Sequence, residues 1–492
     1  MRFWFVLGFC VGPVLGVQAL ELTILHINDV YHISRGNDPG GLTRVATYAK
    51  KLRLENPNVW LTFGGDGLFP SIESLAFKGK QMVDGFNAAH VDYAVLGNHE
   101  FDDPDVNVIK KRLKESKFPW LAANIKTKEG KPFPNTHDFI VIEKEGFKIG
   151  IFGACLLFDN QIQNLNYEDP VEAASRAIDE LKKQNPDLIV GLTHLNFYQD
   201  QEIAKRHPEV DLILGGHEHD NRFSHVGGTL IIKSDSEARL NYLVKIKVKR
   251  EQDGKATKEI MVKAIPLTTD TPEDPDLLEI AQKYKDQLEK ELGPDERIGR
   301  LRTDLVVEEN GILAHHFRET NVCDLIADAY RDVAQTDVAL EMAGAIKYEE
   351  NIPQGRMTHY KMLSLLPQND KLVTLRLKGA TLKLVLNRWL ANEGNGGFPC
   401  VSGLSVTYDQ SRPYGDKVLG LKIGGGNLDQ EKIYALATNS WAAESIHKLD
   451  DSVQIIPLAK EMLIREALEN YIIRQNIIDP RVDGRIKKVV SK

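Results

Sequence analysis

Short, β-rich apolar runs alternate with helical stretches between Glu21 and about Pro266. The runs lie at 22–27, 59–63, 93–96, 149–152, 188–192, 212–214 and 229–232. Strands that alternate with helices predict a layered α/β domain. The ends of several runs carry polar residues, namely Asp29, Asp66, Asn98, His194 and His217. Because ligands of α/β sheets bind where the strands end, we expect these side chains to converge at one edge.

A second pattern of strands and helices follows a break rich in proline and aspartate at 269–275. Apolar residues then recur at helical spacing over 277–292, which predicts a linking helix. From about Gly299 onward, strand-like runs at 373–377 and 404–408 alternate with helical patterns. A chain of 492 residues is also too long for one hydrophobic core. The predicted division is a domain at 20–266, a linker with a helix at 267–298 and a second domain at 299–492.

Residues 1–19 have the pattern of a signal peptide. Arg2 supplies a positive start, 3–15 form an apolar run, and 17–19 (Val-Gln-Ala) form a small-residue cleavage site. An uncleaved anchor is the alternative, but the run is short for a bilayer span and no other stretch approaches about twenty apolar residues. The basic C-terminus lacks the hydrophobic tail of a lipid-anchor signal. We expect an exported protein, periplasmic or extracellular, without a stable membrane anchor.

The net charge of −8 argues against a surface that wraps nucleic acid. Binding to a DNA or RNA backbone relies on excess lysine and arginine. No nucleic-acid polymer is therefore expected as a partner, and any nucleotide must be held locally.

The cysteines show no spacing typical of a disulfide framework or a zinc ribbon. Cys10 lies inside the predicted signal peptide, which leaves Cys155, Cys323 and Cys400 far apart in the sequence. An odd number cannot all pair internally. We expect the three to be buried free thiols.

Five polar segments at the ends of apolar runs carry the candidate chemistry. They are Asn28-Asp29-Val30-Tyr31, Gly64-Gly65-Asp66, Gly97-Asn98-His99-Glu100-Phe101-Asp102, Thr193-His194 and Gly215-Gly216-His217-Glu218-His219. Each alone is also typical of a cap or turn, whereas five in one domain indicate a site. Mixed carboxylate, amide and imidazole ligands fit divalent ions of the zinc, manganese, iron or cobalt class. Two such ions about 3.5–4 Å apart neutralise a phosphate and make hydroxide available near neutral pH.

Together these motifs resemble the 5'-nucleotidases and related calcineurin-like metallophosphoesterases. The signature is Gly-Asn-His-Glu-Phe-Asp at 97–102, with Gly-Gly-Asp upstream and Gly-His-x-His downstream. The C-terminal match is looser and depends on 316–321, 343–344, 396–399 and 401–404. The resemblance implies an N-terminal metallophosphoesterase β-sandwich flanked by helices and a C-terminal α/β substrate domain of the 5'-nucleotidase type.

The resemblance also implies a role for each matching residue. The implied metal ligands are Asp29 and His219 for the first ion, Asn98, His194 and His217 for the second, and Asp66 as the bridge between them. His99 and Asp102 are implied to form a catalytic pair. In this pair the carboxylate orients His99, which stabilises the transferring phosphoryl group or protonates the leaving oxygen.

The first strand departs from the family pattern of Asp-x-His. Tyr31 follows Asp29 at that spacing, and His32 comes one residue later. Residues two apart share a face of an extended strand, so Tyr31 takes the position of the histidine as a candidate ligand. A phenol with a pKa of about 10 is a poorer neutral donor than imidazole. We expect the first ion to bind more weakly or to recruit water.

The second domain of the resembled family is a substrate lid that clamps a nucleoside between aromatic rings and holds phosphate or ribose with arginine and asparagine. In this chain Lys347 stands where that pattern has an arginine, Gln368 replaces an aromatic ring, and another expected arginine falls at His316. The Gly-Gly-Asp loop is missing. Arg318, Lys347 and Trp441 remain as candidate substrate residues. Stacking of a base on Trp441 contributes about 1–3 kcal/mol, and an ordinary packed tryptophan is the equal alternative.

The leading hypothesis is a hydrolase that releases phosphate from nucleoside 5'-monophosphates by attack of metal-bound hydroxide. A phosphodiesterase or nucleotide-sugar pyrophosphatase of the same fold is the enzyme alternative, because the metal core does not distinguish these small-molecule substrates. A catalytically inactive secreted nucleotide-binding protein is the third hypothesis, motivated by Tyr31 and the altered clamp. Chelation separates the third hypothesis from the first two, since only an enzyme loses turnover.

Overall fold

The computed structural model describes residues 19–157, 165–251, 255–309, 312–348 and 350–489. The predicted signal peptide lies outside the described residues except for Ala19. The helices are α1 (Leu42–Glu55), α2 (Ile72–Phe77), α3 (Lys80–Ala89), α4 (Val106–Glu115), α5 (Pro170–Lys182), α6 (Phe197–Arg206), α7 (Pro275–Leu292), α8 (Asn321–Ala334), α9 (His359–Leu365), α10 (Gly379–Leu390), α11 (Ser440–Leu449) and α12 (Ile464–Gln475). Among the described residues, no helix combines the length and hydropathy needed to cross a bilayer.

The strands lie in two compact units of the chain. Those of the first unit are β1 (Ala19–Ile27), β2 (Val59–Phe63), β3 (Tyr93–Val95), β4 (Trp120–Leu121), β5 (Ile125–Lys126), β6 (Thr136–His137), β7 (Phe139–Lys144), β8 (Phe147–Cys155), β9 (Asn166–Tyr167), β10 (Leu188–His194), β11 (Leu212–Gly215), β12 (Arg222–Val226), β13 (Thr229–Lys233), β14 (Leu240–Arg250) and β15 (Ala256–Pro266). Those of the second are β16 (Arg297–Leu301), β17 (Glu308–Glu309), β18 (Ile312–Leu313), β19 (Val338–Met342), β20 (Gly355–Thr358), β21 (Leu372–Lys378), β22 (Pro399–Ser402), β23 (Leu404–Asp409), β24 (Val418–Ile423), β25 (Gly426–Asn427), β26 (Ile433–Asn439), β27 (Gln454–Pro457), β28 (Ile477–Ile478) and β29 (Ile486–Val489).

The first unit, which runs up to Gly67 and again from Met82 to Leu278, is a β-sandwich flanked by helices. One sheet has the order β15-β14-β1-β2-β3-β4-β6, and the other has the order β12-β13-β11-β10-β8-β7. Apolar residues from the facing sides of both sheets form one buried cluster. Helices α5 and α6 cover the opposite face of the second sheet. This is the architecture that the resemblance implied.

Parallel pairing in both sheets places the strand ends that matter for the site. In the first sheet β1, β2 and β3 pair in parallel, and in the second sheet β8, β10, β11 and β13 do so. The carboxyl ends of parallel neighbours meet at one edge of a sheet. Motif residues follow β1, β2, β3 and β11, and His194 is the last residue of β10.

The second unit comprises Leu68–Gln81 and the chain from Glu279 onward. Its largest sheet has the order β22-β19-β26-β21-β27, and two smaller sheets have the orders β25-β24-β23-β29 and β20-β16-β28. Helices α8, α10 and α12 pack their buried faces into one apolar cluster. The strands expected at 373–377 and 404–408 are β21 and β23, and the helix expected at 277–292 is α7.

Two of the three cysteines outside the predicted signal peptide are paired, so the expectation of three free thiols is wrong. Cys323 and Cys400 form a disulfide, with Cα atoms 4.9 Å apart and a sequence separation of 77 residues. Cys323 lies in the first turn of α8, and packing of this helix on β22 brings it to Cys400. A crosslink of this kind stabilises a fold by about 2–5 kcal/mol. Cys155 is a buried free thiol, as expected.

Candidate metal centre

Five of the residues predicted as metal ligands, namely Asp29, Asp66, His194, His217 and His219, meet where the strands of the first unit end. Asp66, His194 and His217 each offer a ligand atom, and these atoms all lie within 4.8 Å of one another. Beside them, Nε2 of His219 lies 3.2 Å from Oδ1 of Asp29. The backbone N–H of His217 donates to Oδ2 of Asp29 at 2.9 Å, which joins the two groups. The loops thus bring together ligands that are more than a hundred residues apart in sequence.

Hydrogen bonding at His194 indicates how the site accepts a cation. Nδ1 donates to the Gly64 carbonyl oxygen at 2.7 Å, so Nε2 faces Oδ2 of Asp66, at 2.9 Å. Either a second proton or a metal ion is needed between these two atoms. Burial disfavours the charged ring, but the Asp66 and Asp29 carboxylates outweigh it and raise the pKa of His194 to about 9. This donor set fits a divalent ion, which competes with the proton for the same nitrogen.

The carboxylates of the site are ionised despite their burial. Burial opposes ionisation of Asp29, but His219 and His194 hold its pKa well below the ordinary value. The pKa of Asp66 is also lowered, because His194 and His99 offset the cost of burial. Burial, together with the nearby His194, holds the pKa of His217 well below its ordinary value. Carboxylates and a neutral imidazole are the forms in which these side chains bind divalent ions.

Four of the candidate ligands have a left-handed backbone. They are Asp29 (φ 52°), Asp66 (φ 59°), His217 (φ 94°) and His219 (φ 62°). Such conformations cost non-glycine residues about 1–3 kcal/mol each and persist only where the surroundings enforce them. Close packing adds a second restriction, since a Cβ at Gly97 would lie 2.1 Å from Oδ1 of Asp66, and one at Gly65 would lie 2.7 Å from Nδ1 of His194. The close packing around these loops therefore holds them in a strained conformation.

Glu100 supports this geometry, although it was not among the predicted site residues. Its buried carboxylate accepts the backbone N–H groups of Gly67 at 2.8 Å, Asp66 at 3.0 Å and Gly97 at 2.5 Å. Burial and the nearby Asp66 charge raise the pKa of Glu100, while the three amide bonds oppose that rise. The position of Glu100 inside the 97–102 motif was the sequence feature that could have identified it.

His99 and Asp102 form the predicted pair, with Nδ1 2.7 Å from Oδ2. Their side chains are 15% and 24% exposed, so the pair is accessible from solvent. The backbone N–H of His99 donates to Oδ1 of Asp66 at 2.7 Å, which fixes the pair next to the carboxylate implied as the bridge. Asn98 precedes His99 and is buried.

Tyr31 lies beside the candidate ligands of the first ion. Its hydroxyl is 3.2 Å from Nε2 of His219, the same nitrogen that faces Asp29. His32 is bonded elsewhere, with Nδ1 2.7 Å from Oε1 of Glu237. The Tyr31 phenol, and not the His32 imidazole, therefore lies next to Asp29 and His219 as the third candidate ligand of the first ion.

The candidate substrate residues of the second unit lie in separate settings. Nη2 of Arg318 is 2.8 Å from Oε2 of Glu309, so this guanidinium is engaged in a surface ion pair. Trp441 lies in the first turn of α11 and packs, partly buried, against the apolar core of the unit. Lys347 is partly buried and follows a short 3-10 turn at Ala343–Ala345.

Backbone hydrogen bonds join the loops of the C-terminal motifs. The N–H of Gly344 donates to the carbonyl of Gly396 at 2.7 Å, and the N–H of Ala343 donates to that of Phe398 at 2.8 Å. A Cβ at Gly396 would lie 2.9 Å from Cα of Gly344 and 3.9 Å from Nε2 of His316. The three motif segments are thus neighbours, as the resemblance requires.

A buried acid, Glu341, lies in β19 directly before this junction. One oxygen accepts the Tyr330 hydroxyl at 3.0 Å, and the other accepts the Met342 N–H at 2.8 Å and the Asn439 amide at 2.5 Å. Burial raises the pKa of Glu341 to about 8, and repulsion by Asp370 contributes to that rise. Burial thus favours the protonated form of this side chain, and its three hydrogen-bond donors oppose that preference.

Both units match sequence families. Residues 22–221 match the calcineurin-like phosphoesterase family, and residues 297–449 match the 5'-nucleotidase C-terminal domain family. Human 5'-nucleotidase is 28% identical over 555 residues, a comparison that covers 98% of this chain and 93% of the human protein.

Solved structures share the fold of the whole chain. The 5'-nucleotidase precursor of Thermus thermophilus superposes with a TM-score of 0.84 at 23% identity, covering 96% of this chain and 99% of that one. The sulfate thiohydrolase SoxB of the same organism, solved with glycerol, gives a TM-score of 0.78 at 17% identity over 95% of this chain and 96% of that one. The predicted fold class, a flanked β-sandwich followed by a second α/β domain, is confirmed.

Substitution of Tyr31 tests its place among the metal ligands. We expect Tyr31→His to raise the affinity for one of two Mn²⁺ ions by about tenfold, or about 1.4 kcal/mol, because imidazole is the better neutral donor. Isothermal titration calorimetry measures this, with Tyr31→Phe as the matched variant that removes only the hydroxyl. An unchanged affinity in the histidine variant, or an equal gain in the phenylalanine variant, contradicts the assignment.

Glu341 predicts a pH dependence of stability. Its carboxyl stays protonated in the fold up to about pH 8, whereas the unfolded chain ionises it near its ordinary value. The unfolded state then binds fewer protons, so the free energy of unfolding falls as the pH rises between these two values. We expect Glu341→Gln to flatten this fall, measured by urea unfolding at pH 5 and pH 8. A variant with the same loss of stability as the parent chain refutes the assignment.

Proposed function

Because the chain belongs to the 5'-nucleotidase family of calcineurin-like phosphoesterases, we propose that it releases phosphate from nucleoside 5'-monophosphates at a centre of two divalent metal ions. The chain is a phosphoester hydrolase of the metal-dependent class to which both domain families point. The small-molecule substrate, the number of ions and export are the parts that we propose. Zinc, manganese, iron and cobalt are the ions whose ligand preferences suit the site.

The observation that carries the proposal is the convergence of two carboxylates and three imidazoles at the strand ends. Asp66 lies within ligand distance of His194 and His217, while Asp29 faces His219. When bound, two divalent ions would neutralise the phosphate charge and supply hydroxide near neutral pH. We assign Asp66 as the residue that both ions would share, as the family resemblance implies; its Oδ2 faces the His194 ring, and its Oδ1 accepts the His99 backbone N–H.

We assign His99, oriented by Asp102, to the transferring phosphoryl group and the leaving oxygen. The carboxylate holds Nδ1 of the ring at 2.7 Å, which fixes the orientation of the ring. Partial exposure leaves the ring within reach of a substrate. In this role His99 stabilises the transferring phosphoryl group or protonates the leaving oxygen, and Asn98 completes the ligands of the second ion.

Nucleoside 5'-monophosphates are favoured as substrates because the human relative that covers almost the whole chain is named a 5'-nucleotidase. A phosphodiesterase or nucleotide-sugar pyrophosphatase is the second candidate. It is favoured by the pairing of Arg318 with Glu309 and by the packing of Trp441, which withdraw two expected contacts to a nucleotide. Lys347 remains as a point charge for a phosphate.

Export is the last part of the proposal. The pattern of residues 1–19 supports it, and so does the Cys323–Cys400 disulfide, because such bonds form and persist in oxidising compartments. A periplasmic or extracellular location is consistent with both.

The activity is tested by phosphate release from mononucleotides, cyclic nucleotides, nucleotide sugars and an aryl phosphate, with Mn²⁺ or Zn²⁺ and with chelator. We expect chelator-sensitive turnover of mononucleotides. His99→Asn should lower kcat by about 10²–10⁴ without changing metal content. His359→Asn is the matched control, because His359 also pairs with a carboxylate, Glu469, but lies in the second unit.

Each other outcome of the panel decides between the candidates. Turnover of diesters or nucleotide sugars alone supports the second candidate. Binding of nucleotide that survives chelation, without turnover of any compound, supports the inactive nucleotide-binding protein. An equal loss in the His99 and His359 variants contradicts the role given to His99.

Export is tested by mass spectrometry of protein recovered from outside the cytoplasm. We expect a chain that begins near Leu20 and gains two hydrogen atoms on reduction of Cys323–Cys400. A variant lacking 1–19 should stay in the cytoplasm with reduced thiols. A full-length chain found only in the cytoplasm would contradict the proposal of export.

A further inference from the structure

A buried lysine ties together the two loops that carry His194 and His217. Lys233 is the last residue of β13, and its side chain is 1% exposed. Its Nζ donates to the carbonyl oxygens of Leu195 at 2.5 Å and Gly216 at 2.9 Å. Leu195 directly follows His194, and Gly216 directly precedes His217. One ammonium group therefore fixes the backbone next to both histidines.

Two acidic side chains accompany this ammonium. Nζ lies 2.8 Å from Oδ2 of Asp200, which is fully buried in α6, and 2.7 Å from Oε2 of Glu218, which separates His217 from His219. The other oxygen of Glu218 accepts the backbone N–H of Phe197, the first residue of α6, at 2.5 Å. The network thus connects β13, the start of α6 and the loop after β11.

The desolvation cost of burying these charges indicates that the network positions the histidine loops and does not mainly stabilise the fold. Burying an ion pair gains little stability, because desolvation offsets the attraction between the charges. An ammonium group offers three N–H donors, and here two carbonyls and two carboxylates compete for them. An apolar side chain of the same length fills the space but supplies none of these donors.

We propose that Lys233 is a positioning residue of the metal centre, which sets the separation of the His194 and His217 rings by holding the adjacent carbonyls to one point. The inference depends on the proposed function only in assigning these two histidines to an ion. Residues that orient ligands in this way typically change metal affinity by about 10–100-fold when removed.

A single substitution cannot distinguish a role in positioning the two histidines from a role in folding. Lys233→Met leaves Asp200 and Glu218 buried without their counter-charge, which by itself destabilises the fold. The triple variant Lys233→Met, Asp200→Asn, Glu218→Gln removes all three charges together while retaining the size of the side chains. The carbonyl tether is lost in this variant, but no buried charge is left unpaired.

Lys126 provides a matched control in the same unit. It is also buried, and its Nζ lies 2.6 Å and 2.7 Å from the two oxygens of Asp138. The double variant Lys126→Met, Asp138→Asn removes a buried lysine and its partly exposed carboxylate partner, whose bonds do not involve the histidine loops.

Calorimetric titration with Mn²⁺ and the visible absorption of Co²⁺-loaded protein test the inference on the full chain. We expect the triple variant to bind one of two Mn²⁺ ions about 10–100-fold more weakly and to show an altered Co²⁺ spectrum. Thermal unfolding in chelator should match the control variant, which keeps the affinity and spectrum of the parent chain.

Wild-type affinity for both ions and an unchanged Co²⁺ spectrum in the triple variant overturn the inference. So does an equal loss of affinity in the control variant, because it would mean that any buried lysine matters. Failure of the proposed function is distinguishable, since a parent chain that binds two ions but hydrolyses nothing leaves the role of Lys233 intact. A parent chain that binds no ion removes both.

Discussion

Two ionised carboxylates, those of Asp29 and Asp66, are buried side by side where the strands of the first unit end, and the surrounding structure follows from this constraint. Like charges in a medium of low polarity repel strongly, so each must be met by donors or by positive charge. Asp29 accepts hydrogen bonds from the Asn28 amide and the His217 backbone and faces His219, while Asp66 faces His194. A divalent cation is a counter-charge that suits such a donor set.

Two further buried side chains, Glu100 and Lys233, hydrogen-bond to main-chain atoms of this site and not to the side chains of its candidate ligands. Glu100 gathers three amide groups around Asp66, and Lys233 gathers the carbonyls beside His194 and His217. These contacts are directed at main-chain atoms, so they fix the geometry of the loops directly. That is how residues with a left-handed backbone are kept in place when their intrinsic preference is for another conformation.

The fold and the convergence of polar residues at the strand ends could be predicted from the sequence, because both depend on short, local patterns. Apolar runs predicted the strands, and polar residues at their ends predicted which side chains converge. The Cys323–Cys400 disulfide was not predictable, because it depends on packing of α8 against β22 and not on spacing. No pattern marks Leu68–Gln81 as part of the second unit, and nothing local distinguishes Lys233 from an exposed strand lysine.

The candidate metal ligands and the candidate substrate residues of this chain depend on different physical features. In the first unit close packing and buried charge hold the candidate ligands, four of which have a strained backbone, so replacing one disturbs the others. In the second unit the motif loops are joined through main-chain bonds between Gly344 and Gly396 and between Ala343 and Phe398, and the close approach of the two glycines leaves no room for a Cβ at Gly396. Helix α11 carries Trp441 packed against the apolar core, and Arg318 pairs with Glu309, while the loop junction is kept. The residues proposed to carry out hydrolysis are thus held by other contacts than the residues proposed to bind the substrate.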